Sequence, residues 1–328
     1  MIEPILKLAA GCVVLLAGSW IMVRSVVGVA AQLGVSPTLA GMTLVPWARV
    51  AAPMLAATVA AIMNRPNAAL GILVGTFTTS AAIPTGLACL ISPARPTNPG
   101  TRLAFVSLLL VGIAVLAVIG YETAQSKVPT LTKFEGGLLV AAGLATALII
   151  LRSAINSRRG NAPLDAAFAE DAAWPVVRPG PAVWLWLFLA HAVIIGGAVL
   201  AITGARDLVD AFGLARGVIS ATVIGAVLSL PQLMKVFRNS ILGDTGVMHV
   251  QIGSASLFGL LVGIGVCAWF APLVLTHQHL YSLLCFACTC VGVSMAAMSR
   301  SRALSSFIGV ALLAMYVWFV FGMFRMEP

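Results

Sequence analysis

The stretch "GMTLVPWARVAAPMLAATVAAI", residues 41–62, carries the most consequential side chain in this sequence. Arg49 stands near the centre of an apolar run, between Pro46 and Pro53. A guanidinium at the middle of a membrane span costs about 2.5–3.5 kcal/mol on insertion scales, so it faces protein or water and finds acceptors. Prolines in the same run supply some, because each leaves a backbone carbonyl one turn earlier without its helical donor. Gln232, Thr76, Thr79 and Ser80, in other apolar runs, are further candidate partners. Three chemistries follow. Arg49 is a built-in cation that locks one conformation. Or it binds an anionic or carboxylated substrate through its planar fork. Or it snorkels from a shifted span towards an interface.

Other reactive residues support less. Ser229 has no base–carboxylate set to activate it, which argues against intramembrane hydrolysis and against an enzyme. No phosphate loop or dinucleotide fingerprint occurs, so no cofactor is expected. Six cysteines, at 12, 89, 267, 285, 288 and 290, all lie in apolar runs and do not form a disulfide framework. "CFACTC" (285–290) puts Cys285 and Cys288 on one helical face, too few ligands for a metal. "HQH" (277–279) reads as a short solvated outer loop, and His191 and His249 as packing histidines in or near spans.

The elements that hold these residues are membrane helices. The chain has 328 residues, 60% hydrophobic and 9% charged, with a mean hydropathy of +1.05. A soluble chain of this length cannot hide so much apolar surface. Ten spans are expected, at about 5–31, 37–63, 67–92, 102–122, 133–156, 181–205, 216–237, 246–271, 278–298 and 303–325. The polar stretch 157–180 separates a first five-helix unit, 1–156, from a second, 181–328. The formal charge of +9 reads as loop Lys and Arg beside a lipid bilayer, not as a nucleic-acid surface. With the N-terminus outside and the central loop cytoplasmic, the inner loops and flanks hold ten Lys and Arg against seven outside. A bacterial inner membrane is the expected location. Five spans per unit would make the halves inverted copies.

A weak internal repeat agrees. "LGVSPTLAGMTLVPWARVAAPML", from Leu33, aligns without gaps to "FGLARGVISATVIGAVLSLPQLM", from Phe212. Gly34 then meets Gly213, Thr43 meets Thr222, and Pro53 meets Gln232. Proline-interrupted spans at matching positions of two halves point to a transporter's binding site.

These segments resemble the cation/calcium exchanger superfamily, which includes the sodium/calcium exchangers. "GSWIMVRSVVGVAAQLGVSPTLAGMTLV", from Gly18, is similar to the family's first repeat, and "ALGILVGTFTTSAAIPTGLACLISP" (69–93) to its following span. "ATVIGAVLSLPQL" (221–233) is similar to the second copy of the family's G-T-S-x-P-E signature. The resemblance implies an all-α polytopic fold of ten transmembrane helices in two inverted five-helix repeats. It also implies cation binding by a glutamate in each signature, with threonine, serine and asparagine oxygens nearby. Carried over by position, the first glutamate is Pro53, its threonine is Arg49, and the second glutamate is Gln232. Ser229 and Pro231 keep the family's residue types, and the family's glycine–serine pair persists as Gly75–Thr76 and Gly253–Ser254.

The residues agree with that departure. Calcium takes six to eight oxygen ligands, carboxylates among them. All ten Asp and Glu fall in loops, tails or span ends. The expectation is an exchanger-like antiporter that does not carry calcium, moving a monovalent cation, a proton or an anionic substrate. Its pathway would use Thr43, Arg49, Pro53, Thr76, Thr79, Ser80, Thr222, Ser229, Gln232 and Ser254. The competing expectation is a non-transporting subunit, bound to a protein partner and locked by Arg49.

Overall fold

The computed structural model describes residues 2–35, 44–91, 130–157, 180–214, 217–242, 245–299 and 301–326. The fourth expected span, most of the central loop and Thr43 lie outside them. Within the described residues, helices occupy the other nine expected spans: α1 (Ile2–Gln32), α2 (Val45–Ile62), α3 (Pro66–Ile91), α4 (Lys133–Ser157), α5 (Ala182–Phe212), α6 (Gly225–Leu242), α7 (Thr245–Phe270), α8 (His277–Met298) and α9 (Arg302–Arg325). A π-helical turn, Ser220–Ile224, leads into α6. Six of the described helices are long and apolar enough to cross a membrane: α1, α2, α3, α5, α8 and α9. A two-residue antiparallel ladder pairs β1 (Thr130–Leu131) with β2 (Leu273–Val274).

The ends of α1 and α5 show why the chain turns where it does. Gly34 and Gly213 both adopt left-handed backbone, with φ of 69° and 62°. Val35 N–H donates to the Ala30 carbonyl (2.9 Å), and Leu214 N–H to that of Val209 (3.1 Å). Both are the six-to-one bonds of a Schellman cap, which needs a residue tolerant of positive φ at its centre. The glycines that the repeat alignment sets opposite one another thus close the same motif twice.

Packing centres on α3. In its most apolar window 89% of residues are buried, against 39% in α1 and 33% in α5. α1 and α5 pack along each other and turn large apolar side chains outwards, such as Leu185 and Phe188. α3 packs on α6 while α2 packs on α7, and α9 packs on α3 while α4 packs on α7.

Glycines set these crossings. In lipid no hydrophobic force draws helices together, so close backbone approach does that work. A Cβ on Gly86 (α3) would meet the Gly309 carbonyl of α9 at 3.0 Å, and one on Gly309 would meet that of Gly86 at 2.8 Å. The same reciprocal contact joins α4 to α7, where a Cβ on Gly136 would lie 2.8 Å from the Gly265 carbonyl, and one on Gly265 2.5 Å from that of Gly136. The register that sets Gly34 opposite Gly213 also sets Gly86 opposite Gly265. The two crossings occupy matching places in the two halves of the sequence.

One sequence expectation is corrected here. "HQH" is not a solvated loop but the first turn of α8, and Gln278 and His279 are buried. Thr276 caps the helix. Its N–H donates to His279 Nδ1 (3.2 Å), so the histidine takes the place that Glu or Gln holds in a capping box. The spacing T-x-x-H before an apolar run was the available signal.

Candidate functional site

The site builds on the crossing of α3 with α6. A Cβ on Gly71 would lie 2.9 Å from the Gly217 carbonyl, and a Cβ on Gly75 would overlap the carbonyl of Ala221. A Cβ on Gly225 would lie 2.8 Å from the Thr76 backbone nitrogen. Later residues of one helix meet later residues of the other, so the two run in the same direction with their backbones touching.

That contact orients the polar stripe of α6. Gly225, Ser229 and Gln232, spaced by four and three residues, share one face of α6, and Thr222 precedes them in the π-helical turn. Gly225 faces α3, so Ser229 and Gln232 follow one and two turns further along the same side. On α3, Thr76 is level with Gly225, and Thr79 and Ser80 follow one turn further along. All six polar residues are buried. The structure therefore places Thr76, Thr79 and Ser80 on one helix of the crossing and Thr222, Ser229 and Gln232 on the other segment, all buried.

Their hydrogen bonds define what the stripe offers. Thr79 Oγ1 donates to the Gly75 carbonyl (2.7 Å), and Ser80 Oγ to that of Phe77 (3.2 Å). Thr222 Oγ1 donates to the Val218 carbonyl (2.8 Å), and Ser229 Oγ to that of Ala226 (2.7 Å). Each hydroxyl spends its proton on its own helix and keeps oxygen lone pairs to accept with. Thr76 Oγ1 and Gln232 Oε1 are buried with no hydrogen-bond partner among the described residues. A buried polar atom left so costs about 1–3 kcal/mol. Pro84 and Pro231 add to the acceptors, since each removes the donor for the carbonyl one turn earlier, at Ser80 and Val227. The site is thus a set of neutral oxygens at a backbone crossing, poised to accept.

Arg49 lies in the second turn of α2 and is half-buried. Residues on either side of it tie α2 to α7. Trp47 stacks on Phe258 with ring centroids 5.3 Å apart, and a Cβ on Gly259 would lie 3.0 Å from Val50 Cβ. Pro53 is buried inside α2, where it deprives the Arg49 carbonyl of its helical donor. Ser254 belongs to α7, but its side chain lies outside those described.

Some buried polar groups escaped the sequence analysis. Thr78 and Thr85 of α3, Ser256 of α7 and Ser305 of α9 bury hydroxyl oxygens that have no partner among the described residues. Thr78 and Thr85 are seven apart, two helical turns, and that spacing was the missed signal. His191, by contrast, bonds through Nδ1 to the Leu187 carbonyl (2.7 Å) of its own helix. Among the described residues no three His, Cys, Asp or Glu side chains group to hold a metal.

A family model for "Sodium/calcium exchanger protein" matches residues 4–151 and 182–325. This chain belongs to the sodium/calcium exchanger protein family. The matched blocks flank the central stretch and cover both halves of the site. This exchanger-family protein is 25% identical over 245 residues to the "Putative antiporter CaxA" of Alkalimonas amylolytica, covering 74% of this chain and 73% of that one. It is 22% identical over 241 residues to the "Inner membrane protein YrbG" of Escherichia coli (strain K12), covering 73% and 71%. Its fold is that of the sodium-calcium exchanger NCX_Mj. A structure of that protein soaked with 10 mM Na+ and 10 mM Sr2+ superposes with a TM-score of 0.62 at 19% identity, covering 99% of each chain. The protein is therefore an integral membrane protein with an exchanger fold.

Proposed function

We propose that this protein is an exchanger-type transporter whose central site works without carboxylates and does not carry calcium. One observation carries the reading. Gln232 Oε1, a neutral amide oxygen, is buried and unpartnered among the described residues, at the position where the family resemblance expects a glutamate. Thr76 Oγ1, on the helix that crosses α6, is in the same state. A doubly charged ion held only by neutral oxygens, with the fixed charge of Arg49 on the neighbouring α2, would lose most of the attraction that offsets its dehydration. A monovalent cation or a proton-coupled species suits these acceptors better, whereas an anion would have to be held by the guanidinium of Arg49. Thr79, Ser80, Thr222 and Ser229 supply further acceptors, with Thr43, Pro53 and Ser254 completing the pathway by their place in the repeat.

The reciprocal packing of α3 on α6 with α2 on α7, and the paired glycine crossings, support two inverted five-helix halves, 1–156 and 181–328, joined by the loop 157–180. Alternating access then moves one half against the other around the shared crossing. The charge bias of the loops supports an N-terminus outside and a cytoplasmic central loop, in the inner membrane of a bacterium.

A second reading has its own observation. Arg49 sits on a continuous helix with Pro53 in its interior, and the residues beside it bind α2 to α7. A fixed guanidinium there would hold one state, and the protein would serve as a subunit of a membrane complex. Reconstitution separates the two. Purified protein in liposomes is challenged with potassium, sodium, proton and anion gradients. The transporter reading expects flux of one species, reduced at least about tenfold by Gln232→Ala, the scale of losing one buried ligand. No flux across that panel, with a stoichiometric protein partner in the preparation, would establish the subunit reading.

A further inference from the structure

A cavity of about 400 Å³ opens where the α2–α3 turn meets the end of α5 and the start of the segment leading into α6. This is the size of a small-molecule site. One wall is apolar, formed by Ile202, Ala205 and Val209 of α5. The facing side carries most of the polar lining, including Asn64, Arg65 and Asn67. The cavity's charged lining residues are Arg65, Arg206 and Asp210, two guanidinium groups against one carboxylate.

The basic side is rigidly built. Asn64 adopts left-handed backbone, φ 58°, and Arg65 N–H donates to the Ala60 carbonyl at 2.8 Å. That is a third Schellman cap, and it fixes the position of Arg65 between two helices. Pro66 starts α3 in the next position. Arg65 has no ion-pair partner among the described residues. Arg206 lies on α5 and pairs with Asp210, Nε to Oδ2, at a loose 3.5 Å. Asn67 and Ala68, in the first turn of α3, also line the cavity, and first-turn N–H groups lack acceptors within their own helix. Gly217, at φ 97°, closes the α3 side, since a Cβ there would lie 2.9 Å from the Asn67 carbonyl oxygen.

We infer that this cavity is a binding site for a phosphate oxyanion, clamped between Arg65 and Arg206 with the first-turn amides of α3. Two guanidinium groups match the oxygens of a phosphate in pairs, which an ammonium cannot do. The helix N-terminus adds donors of the same sign. Asp210 is the internal competitor for Arg206. The apolar wall beside the basic rim accepts either a phospholipid headgroup, with its chains along α5, or the organic part of a soluble phosphate. The site adjoins the neutral crossing through Gly217 and Ser220, but its charged residues, Arg65, Arg206 and Asp210, are not among those proposed for the pathway.

Thermal unfolding of the full purified chain tests this. One arm adds inorganic phosphate to protein in a neutral detergent at low salt. The other compares nanodiscs of phosphatidylglycerol with nanodiscs of phosphatidylcholine. Stabilisation by inorganic phosphate identifies a soluble source, and stabilisation by phosphatidylglycerol alone identifies a lipid. In either arm Arg65→Gln with Arg206→Gln is expected to weaken binding at least about tenfold, and Asp210→Asn to strengthen it severalfold by releasing Arg206. The gain in Asp210→Asn keeps the test decisive if the double variant does not fold. The inference is overturned if neither phosphate nor phosphatidylglycerol moves the wild-type midpoint. It is equally overturned if the double variant keeps the full shift, or if Asp210→Asn gives no gain.

Discussion

Gly75→Val is expected to lower the thermal midpoint of the purified protein more than truncating any of the neutral polar side chains at the crossing. The first added carbon already overlaps the Ala221 carbonyl oxygen. Both partners are buried backbone, Gly75 in α3 and Ala221 in the π-helical turn that leads into α6, so neither can swing aside as a flexible side chain would. Overpacking in a well-packed core costs about 1–3 kcal/mol and occasionally more, and a backbone–backbone clash belongs at the upper end. The α3–α6 crossing also positions Thr76 against the stripe of α6, so transport should fall with stability. Gly196→Ala is the internal control. Nothing lies within 4 Å of a Cβ at that position, on the same type of helix. Its midpoint should stay level or rise slightly from the better helix former. Equal midpoints for the two variants would mean that the crossing is looser than described.

The second large effect is at Arg49. If its charge is part of the site, Arg49→Ala leaves buried acceptors without their donor, a loss on the scale of about 3–5 kcal/mol for one partner of a buried pair. Both the thermal midpoint and any flux should then change. Arg49→Lys keeps the charge but loses the planar fork, so it should recover only part of both. A side chain that merely snorkels predicts something else: alanine and lysine would both behave like the wild type. The pair of variants therefore decides between a functional guanidinium and an interfacial one.

Much of the scaffold was readable before any coordinates. Apolar run length located the nine described helices, because a bilayer dictates how long a span must be. The alignment set Gly34 opposite Gly213, and the structure gives that pairing its reason, two identical helix caps in which positive φ selects glycine. The crossings at Gly86–Gly309 and Gly136–Gly265 were less legible. A glycine in a helix gives no sign of its partner until the helices are placed side by side. At the site, the residue types of Ser229 and Gln232 were visible in a proline-broken span. That Thr76 lies beside the helix of Ser229 and Gln232 depends on Gly75 and Gly225 touching, which no local pattern encodes. "HQH" was misread because a histidine at the third position of a helix can complete a cap from inside, and its polarity alone suggested solvent. Arg49 was conspicuous from the start, as a charge among apolar neighbours. The cavity beside Arg65 was not, because its walls come from three separate segments.

A crossing of α3 and α6 that binds its substrate without a carboxylate should not carry calcium. Calcium flux tests this most directly. Purified wild-type protein is reconstituted into liposomes, and calcium uptake is measured under an outward sodium gradient. The account predicts uptake no greater than in protein-free liposomes. Saturable, sodium-driven calcium uptake by the wild type, lost in Gln232→Ala, would contradict it.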